Sequence, residues 1–310
     1  MKAFLFPGQG SQKVGMGRAF FDAFAEAKSV WEEADDALGF SVSRLCFEGP
    51  EADLTLTANA QPAILTTSIA ALRVLQATTD VRPDVVAGHS LGEYSALVAV
   101  GAITLADAVR TVNLRGRFMQ EAVAPGFGAM AAVLGLDGAV VKEACEEAMA
   151  AVGEVVSPAN LNGGGQVVIA GTKAAVDKAC EVAKAKGAKR TIPLQVSAPF
   201  HCALMESAAQ KLAVELGKVP VAAFAIPVVT NVQAAPNTDE SRVRELLTLQ
   251  VTGTVRWEES VNALVAIGAT QAFEIGHGNV LAGLVKRIAP GLPVAAVSDP
   301  TSLAALSSQL

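Results

Sequence analysis

The sequence predicts an α/β protein carrying a small ferredoxin-like domain as an insert, and three observations carry that prediction. Short apolar runs bounded by Gly or Pro alternate with longer segments of helical spacing. One such run enters Gly88-His89-Ser90-Leu91-Gly92 and continues into a helix-forming stretch of Glu, Ala and Leu. Residues 127–196 read as strand, helix, strand, strand, helix, strand, the split-βαβ order of a ferredoxin-like unit. The larger domain is expected to comprise residues 1–126 and 197–310, and the insert residues 127–196.

Taken in order, Lys2 to Phe6 is a short buried strand that Pro7-Gly8-Gln9-Gly10 ends in a turn. Helical spacing follows from Gly17 to Leu38 and again after Gln61. Pro83 to Ala87 is the strand that feeds the Ser90 turn. Within the insert, strands are expected at Met130 to Leu136, Val155 to Leu161, Gln166 to Ala170 and Arg190 to Val196. Gly163-Gly164-Gly165 joins the middle two, and helices span Asp137 to Ala150 and Thr172 to Lys186. Apolar strands return at Pro227 to Val232, Ala272 to Ile275 and Pro293 to Val297.

Bulk properties exclude several classes. The 310 residues are 51% hydrophobic and 17% charged, a composition of compact rather than disordered chains. The charge-free candidate for a membrane span, Thr55 to Leu72, contains Asn59, Gln61 and Pro62 and is not expected to cross one. The apolar run after Lys2 meets Pro7 and Gly8 too soon for a signal peptide. Cys46, Cys145, Cys180 and Cys202 lack metal-ligand spacing, so reduced thiols in a cytoplasm are expected. A net charge of −6 argues against general nucleic-acid binding.

Gly88-His89-Ser90-Leu91-Gly92 fits the nucleophile-elbow pattern in its required strand-to-helix setting. A serine on so tight a turn projects its hydroxyl, and the next helix aims N–H groups where an oxyanion would form. The bland alternative is a glycine-rich turn with a structural serine. Such a hydroxyl needs a base, and the chain has three histidines. His89 lies inside the turn and is read as structural. His277 sits in Gly276-His277-Gly278, which could equally be a surface turn. His201 follows Ser197-Ala198-Pro199-Phe200 at the end of the insert, on a loop ahead of a helix. The pattern favours His201 and leaves His277 open.

Helical periodicity singles out Arg115. Thr104 to Val123 reads as one helix with Thr104 at its N-cap. Val112 and Met119 are the three- and four-residue neighbours of Arg115, which puts it on the apolar stripe. Arg117 shares its face with Asn113, Glu121 and Arg110, so it is solvated. An inward guanidinium needs a carboxylate, either a protein group in a salt bridge or one brought by a substrate.

These residues carry a family likeness. The chain resembles the malonyl-CoA:acyl carrier protein transacylases of bacterial fatty-acid synthesis along nearly its whole length. The matching stretches are Phe6-Pro7-Gly8-Gln9-Gly10-Ser11-Gln12 and Gly88-His89-Ser90-Leu91-Gly92-Glu93-Tyr94-Ser95. To these are added Arg115-Gly116, Phe118-Met119-Gln120, Pro158-Ala159-Asn160-Leu161-Asn162, and His201 with Met205. The resemblance implies an α/β-hydrolase-like core with a parallel sheet around the inserted domain. It implies Ser90 as nucleophile, His201 as general base, and the Gln250 backbone carbonyl as the group that orients the histidine. The N–H groups of Gln9 and Leu91 would form the oxyanion hole, and Arg115 would grip the free malonyl carboxylate. Asn160 and Asn162 would lie beside the substrate. Phe200 resembles the bulky residue of malonyl-selective acyltransferases, in which a smaller residue accompanies methylmalonyl use. Two stretches depart from the family: Val251-Thr252-Gly253-Thr254 replaces a Tyr-Asn-Pro-like segment, and Gly276-His277-Gly278-Asn279 a Gly-Pro-Gly-Lys-like turn.

The implied reaction moves malonyl from coenzyme A to the phosphopantetheine thiol of acyl carrier protein, by a ping-pong cycle that calls for no metal or redox cofactor. Malonyl-CoA and acyl carrier protein are the expected partners of a cytoplasmic monomer, with no nucleic acid and no membrane. The carrier family is acidic, so docking on this acidic chain requires local positive charge. Lys184, Lys186, Lys189 and Arg190 form one such cluster and Lys286-Arg287 another, though ordinary solvated side chains would look the same. The rival enzyme is a serine hydrolase, with Asp177 or Glu181 as its acid between Ser90 and His201 in chain order. The rival from another class is a non-catalytic carrier-binding module.

Overall fold

A computed structural model describes residues 1–196 and 198–307. The chain opens with β1 (Lys2–Phe6), then α1 (Arg18–Ala23), α2 (Ala25–Leu38), α3 (Val42–Glu48), α4 (Glu51–Thr55) and α5 (Thr57–Thr78). The elbow region follows as β2 (Val85–Gly88), α6 (Gly92–Ala99) and α7 (Leu105–Glu121). The insert supplies β3 (Gly128–Leu134), α8 (Gly138–Val152), β4 (Val156–Gly163), β5 (Gln166–Thr172), α9 (Lys173–Ala185) and β6 (Arg190–Pro193). The chain then returns through α10 (Glu206–Leu216), β7 (Val228–Val229), β8 (Pro236–Asn237), α11 (Val243–Thr252) and α12 (Trp257–Ala266). It closes with β9 (Gln271–Ile275), α13 (Val280–Ile288), β10 (Val294–Val297) and α14 (Pro300–Ser307).

The larger sheet has the order β10-β9-β1-β2-β7-β8, parallel except for the short β8. Its central strands are apolar on both faces because helices cover both. Phe4, Phe6 and Val86 pack into the cluster formed with α2, α5 and α7. Ala3, Leu5, Val85 and Ala87 face the opposite cluster, which Trp257, Val261, Leu281 and Leu284 complete. The stretch from Thr55 to Leu72 falls mostly in α5, most of whose side chains are buried in the core, and no helix among the described residues is long and apolar enough to cross a membrane.

The smaller sheet, in the order β4-β5-β3-β6, is antiparallel throughout. With α8 and α9 on one face, it has the ferredoxin-like connectivity expected from the βαββαβ order. It is tied to the larger unit through β4: Leu161 N–H donates to Val255 O and Val255 N–H to Ala159 O, each at 2.9 Å.

Several boundaries differ from the sequence reading. The Gly17–Leu38 segment is two helices, because Phe24 takes an extended conformation that breaks the run. The insert's first strand begins at Gly128 and stops before Gly135, which turns with a left-handed φ of 88°. The strand expected over Pro227 to Val232 shortens to two residues, since Asn231 turns inward to hold the elbow. Ser197, in the junction preceding His201, lies outside the described residues.

Candidate active site

β2 ends at Gly88 and α6 begins at Gly92, so Ser90 sits on the turn between them with a φ of 49°. The turn closes this tightly only with glycine at both ends. A Cβ on Gly88 would lie 1.9 Å from the carbonyl carbon of Gly92, and one on Gly92 would lie 2.0 Å from Phe6 O. A left-handed serine costs on the order of 1 kcal/mol. Asn231, just beyond β7, offsets that strain: its Oδ1 accepts from Ser90 N–H at 2.6 Å and its Nδ2 donates to Gly88 O at 2.7 Å. Leu91 lies at the N-cap of α6, where the helix presents its positive end.

His201, itself at a φ of 57°, brings Nε2 to 2.8 Å from Ser90 Oγ. Its Nδ1 lies 2.8 Å from Gln250 O. A carbonyl can only accept, so Nδ1 carries the hydrogen and Nε2 is left as the lone pair facing the serine. Gln250 lies in the last turn of α11, where carbonyls lack partners four residues on. The Val251-Thr252-Gly253 departure from the family keeps this carbonyl available, because the helix stops at Gly253. The negative end of α11 thus stands behind the imidazole where a hydrolase would place a carboxylate.

The other two histidines lie apart from this pair. His89 is half-buried, with Nε2 2.8 Å from Asn162 Oδ1 of the insert. His277 is half-buried and is not among the side chains lining the cavity described below. Asp177 and Glu181, the acids a hydrolase triad would recruit, are both exposed on α9.

Arg115 is 2% exposed and its guanidinium enters the same space. Nη1 donates to Gln61 Oε1 at 2.8 Å, and Nη2 to Gln250 Oε1 at 3.0 Å and Ser90 Oγ at 3.2 Å. The Tyr94 ring lies 5.7 Å from the guanidinium carbon. Among the described residues no carboxylate forms an ion pair with it. The direct internal salt bridge that could have explained an inward arginine is therefore not made. Thr104 caps α7 as its position suggested, accepting from Asp107 N–H, and Arg117 is exposed. Asn113 departs from the solvated face: it is buried and donates to Ala58 O at 2.7 Å.

These groups open onto a cavity of about 680 Å³. Gln9, Ser90, Arg115, Phe200 and His201 line its floor, while Asn160, Asn162, Gln166 and Val168 form a wall from the insert. Gln9 is tied down by a bond from its Nε2 to Thr57 Oγ1 at 3.2 Å.

Residues 3–298 match the acyl transferase domain family. The malonyl CoA-acyl carrier protein transacylase of Salmonella typhimurium is 49% identical over 307 residues, covering 99% of each chain. That of Escherichia coli is 50% identical over 303 residues, 98% of this chain and 97% of the relative. The chain belongs to the malonyl-CoA:acyl carrier protein transacylase family. Solved structures agree with this placement. A malonyl-transacylase in complex with its type II PKS acyl-carrier protein superposes with a TM-score of 0.96 at 46% identity, covering 100% of this chain and 99% of that one. The acyl carrier protein S-malonyltransferase of Vibrio cholerae superposes at 0.95, with 46% identity over 98% and 99% of the two chains.

Burial governs the electrostatics of this transacylase-family site. Desolvation first, then the Arg115 charge, pulls the His201 pKa down to about 3, so the imidazole is neutral at ordinary pH. Desolvation also lowers the Arg115 pKa, against Tyr94 and Glu93, which raise it. Burial pushes Glu93 up to about 7, opposed by bonds from Asn231 and Gln250 and by Arg115. Sequence reasoning missed three members of the constellation: Asn231, Gln61 and Glu93. Gln61 lies within the apolar run of α5, the signal that exposed Arg115 on α7. Asn231 is a polar residue at the carboxyl end of a parallel strand, where α/β sheets place their sites.

Proposed function

We propose that the chain transfers malonyl from malonyl-CoA to the phosphopantetheine thiol of acyl carrier protein through a malonyl ester of Ser90. The observation that carries this reading is a buried guanidinium, lacking an ion pair among the described residues, that touches the hydroxyl of a serine–histidine pair. In the first half-reaction, His201 Nε2 takes the Ser90 Oγ proton as the oxygen attacks the thioester carbon. The N–H groups of Gln9 and Leu91 hold the oxyanion. The carbon–sulfur bond breaks, and the coenzyme A sulfur leaves with the proton from His201. In the second half, His201 takes the proton of the phosphopantetheine thiol, whose sulfur attacks the ester. The ester carbon–oxygen bond then breaks, and the Ser90 oxygen leaves with the proton held by His201.

Arg115 holds the malonyl carboxylate by two parallel hydrogen bonds through both halves, and Gln61 and Gln250 keep its fork in place. Phe200 walls the acyl pocket, while Asn160 and the Asn162–His89 pair lie across the cavity. The cycle moves only an acyl group and protons, so it balances without a metal or redox cofactor. One chain supplies both walls of the cavity, which supports a monomer, and four free cysteines suit a reducing cytoplasm.

Of the two basic clusters, Lys286-Arg287 is the better carrier dock. Arg287 borders the cavity, whereas Lys186 is already neutralised by Glu143 and Glu147. The test is intact mass after incubation with malonyl-CoA. The wild type gains one malonyl group and Ser90→Ala gains none. An adduct of unchanged yield in Ser90→Ala would rule out Ser90 as the nucleophile.

A further inference from the structure

Behind the serine–histidine pair lies a buried carboxylate that the transfer cycle does not use. Glu93 follows the elbow by one residue on α6 and is 2% exposed. Its Oε2 accepts from Gln250 Nε2 at 2.8 Å and from Asn231 N–H at 3.0 Å. Gln250 turns its other amide atom, Oε1, to Arg115 Nη2, and its Nε2 also reaches Ser90 O at 3.0 Å. The amide is thus clamped between an anion on its NH₂ side and a cation on its carbonyl side. That arrangement fixes which way it points. The same residue's backbone carbonyl holds His201.

We propose that Glu93 is a positioning residue for acyl transfer. Its carboxylate holds the Gln250 side chain and forms the anionic end of a buried chain, Glu93–Gln250–Arg115, behind Ser90 and His201. The acid of a hydrolase triad is in this view moved one residue outward: it grips the side chain of the residue whose backbone grips the histidine. An ionised Glu93 stabilises the imidazolium that forms as Ser90 gives up its proton. It also balances the Arg115 charge while no substrate carboxylate is bound. This inference rests on the Ser90–His201 transfer reading above.

The charged and titratable groups facing Glu93 are Arg115 from α7 and Tyr94 from its own helix, with His201 beyond Gln250 and His89 beside it. Near neutral pH Arg115 stays charged, Tyr94 is pushed upward and stays neutral, and both histidines are pulled down to their neutral forms. Of this set, Glu93 alone titrates near pH 7. The rate of malonyl-serine formation should therefore rise through about pH 7 in the wild type. An unperturbed histidine base would give a limb at the same place, and the variant Glu93→Gln separates the two.

The experiment follows malonyl loading by intact mass from about pH 5.5 to 8.5 in the wild type and Glu93→Gln, with thermal melts alongside. The proposal expects the variant to have no inflection, to match the wild type at the acid end, and to load about tenfold slower at the alkaline end, the effect of one charge acting through an amide. The melts read the same group independently. Burial raises the Glu93 pKa above its ordinary 4.5. The stability it contributes is therefore complete below pH 4.5 and lost as pH rises through about 7. The Tm of Glu93→Gln should accordingly climb relative to wild type as pH rises across the range. An inflection that survives in Glu93→Gln overturns the proposal, as does a Tm difference independent of pH. Should that variant not fold, Glu93→Asp keeps the charge on a shorter arm. Its inflection must shift from the wild-type pH, and an unshifted one overturns the proposal. A wild type that forms no malonyl adduct would instead refute the transfer reading itself.

Discussion

The floor of the cavity and the inserted domain that walls it treat charge in opposite ways. In the insert, Ala131, Val133, Val141, Ile169 and Val176 make an apolar core. Its charges sit outside in exposed pairs such as Lys142–Glu146 and Lys173–Asp177, each worth roughly 0–1 kcal/mol. On the floor and just behind it, Arg115, His201 and Glu93 are all buried and held by side-chain amides and a helix-end carbonyl. Taking a guanidinium and a carboxylate out of water costs several kcal/mol each unless their bonds are nearly complete. The insert shows that this chain can build a stable layer without buried charge. The floor's arrangement is accordingly explained by chemistry rather than by packing.

Breaking that contrast should have its largest effect at the base. His201→Ala should slow malonyl loading by about a thousandfold, the usual worth of a positioned general base. His277→Ala, altering a side chain outside the cavity lining, should stay within a few fold. If His277→Ala proves the worse in a loading assay, the two histidines must exchange roles.

A smaller change is expected at the pocket wall. Phe200 is 8% exposed and lines the cavity beside His201. Phe200→Ser should improve methylmalonyl loading relative to malonyl by roughly tenfold, since one methyl group in a pocket is worth ~1–3 kcal/mol. Competition between the two thioesters, read by adduct mass, checks this. A constant ratio would place the selective wall on another residue.

The smallest effect concerns the surface. Arg287→Glu should raise the carrier protein's KM by about threefold and leave that of malonyl-CoA unchanged, as expected for a rim charge that steers encounter. Lys184→Glu, on the far end of α9, should do less. Equal effects of Arg287→Glu on both substrates would mean that the residue serves the cavity and not the carrier.

The fold was legible where the signal was local. The apolar runs of β1, β2 and β9 and the βαββαβ order of the insert needed only period and turn residues. Arg115 was legible because one charge broke an apolar stripe. The Phe24 break and the early end of β7 at Val229 were not, since neither falls at Gly or Pro and both answer to packing elsewhere in the chain. Asn231, Gln61 and Glu93 escaped for a related reason. Each hydrogen-bonds at least one partner 54 or more positions away, a juxtaposition that only the folded sheet creates.

The central claim is that the buried Arg115 serves a substrate carboxylate. The most direct measurement compares Arg115→Ala with wild type for malonyl-CoA and acetyl-CoA loading, each rate read by intact mass. Malonyl loading should fall by about a hundredfold, the loss of a desolvated two-pronged contact, while acetyl loading falls far less. Arg115→Lys should restore only part of the malonyl rate, because a point charge cannot reproduce the fork. A drop by the same factor for both thioesters would contradict the account and make Arg115 a structural element of the floor.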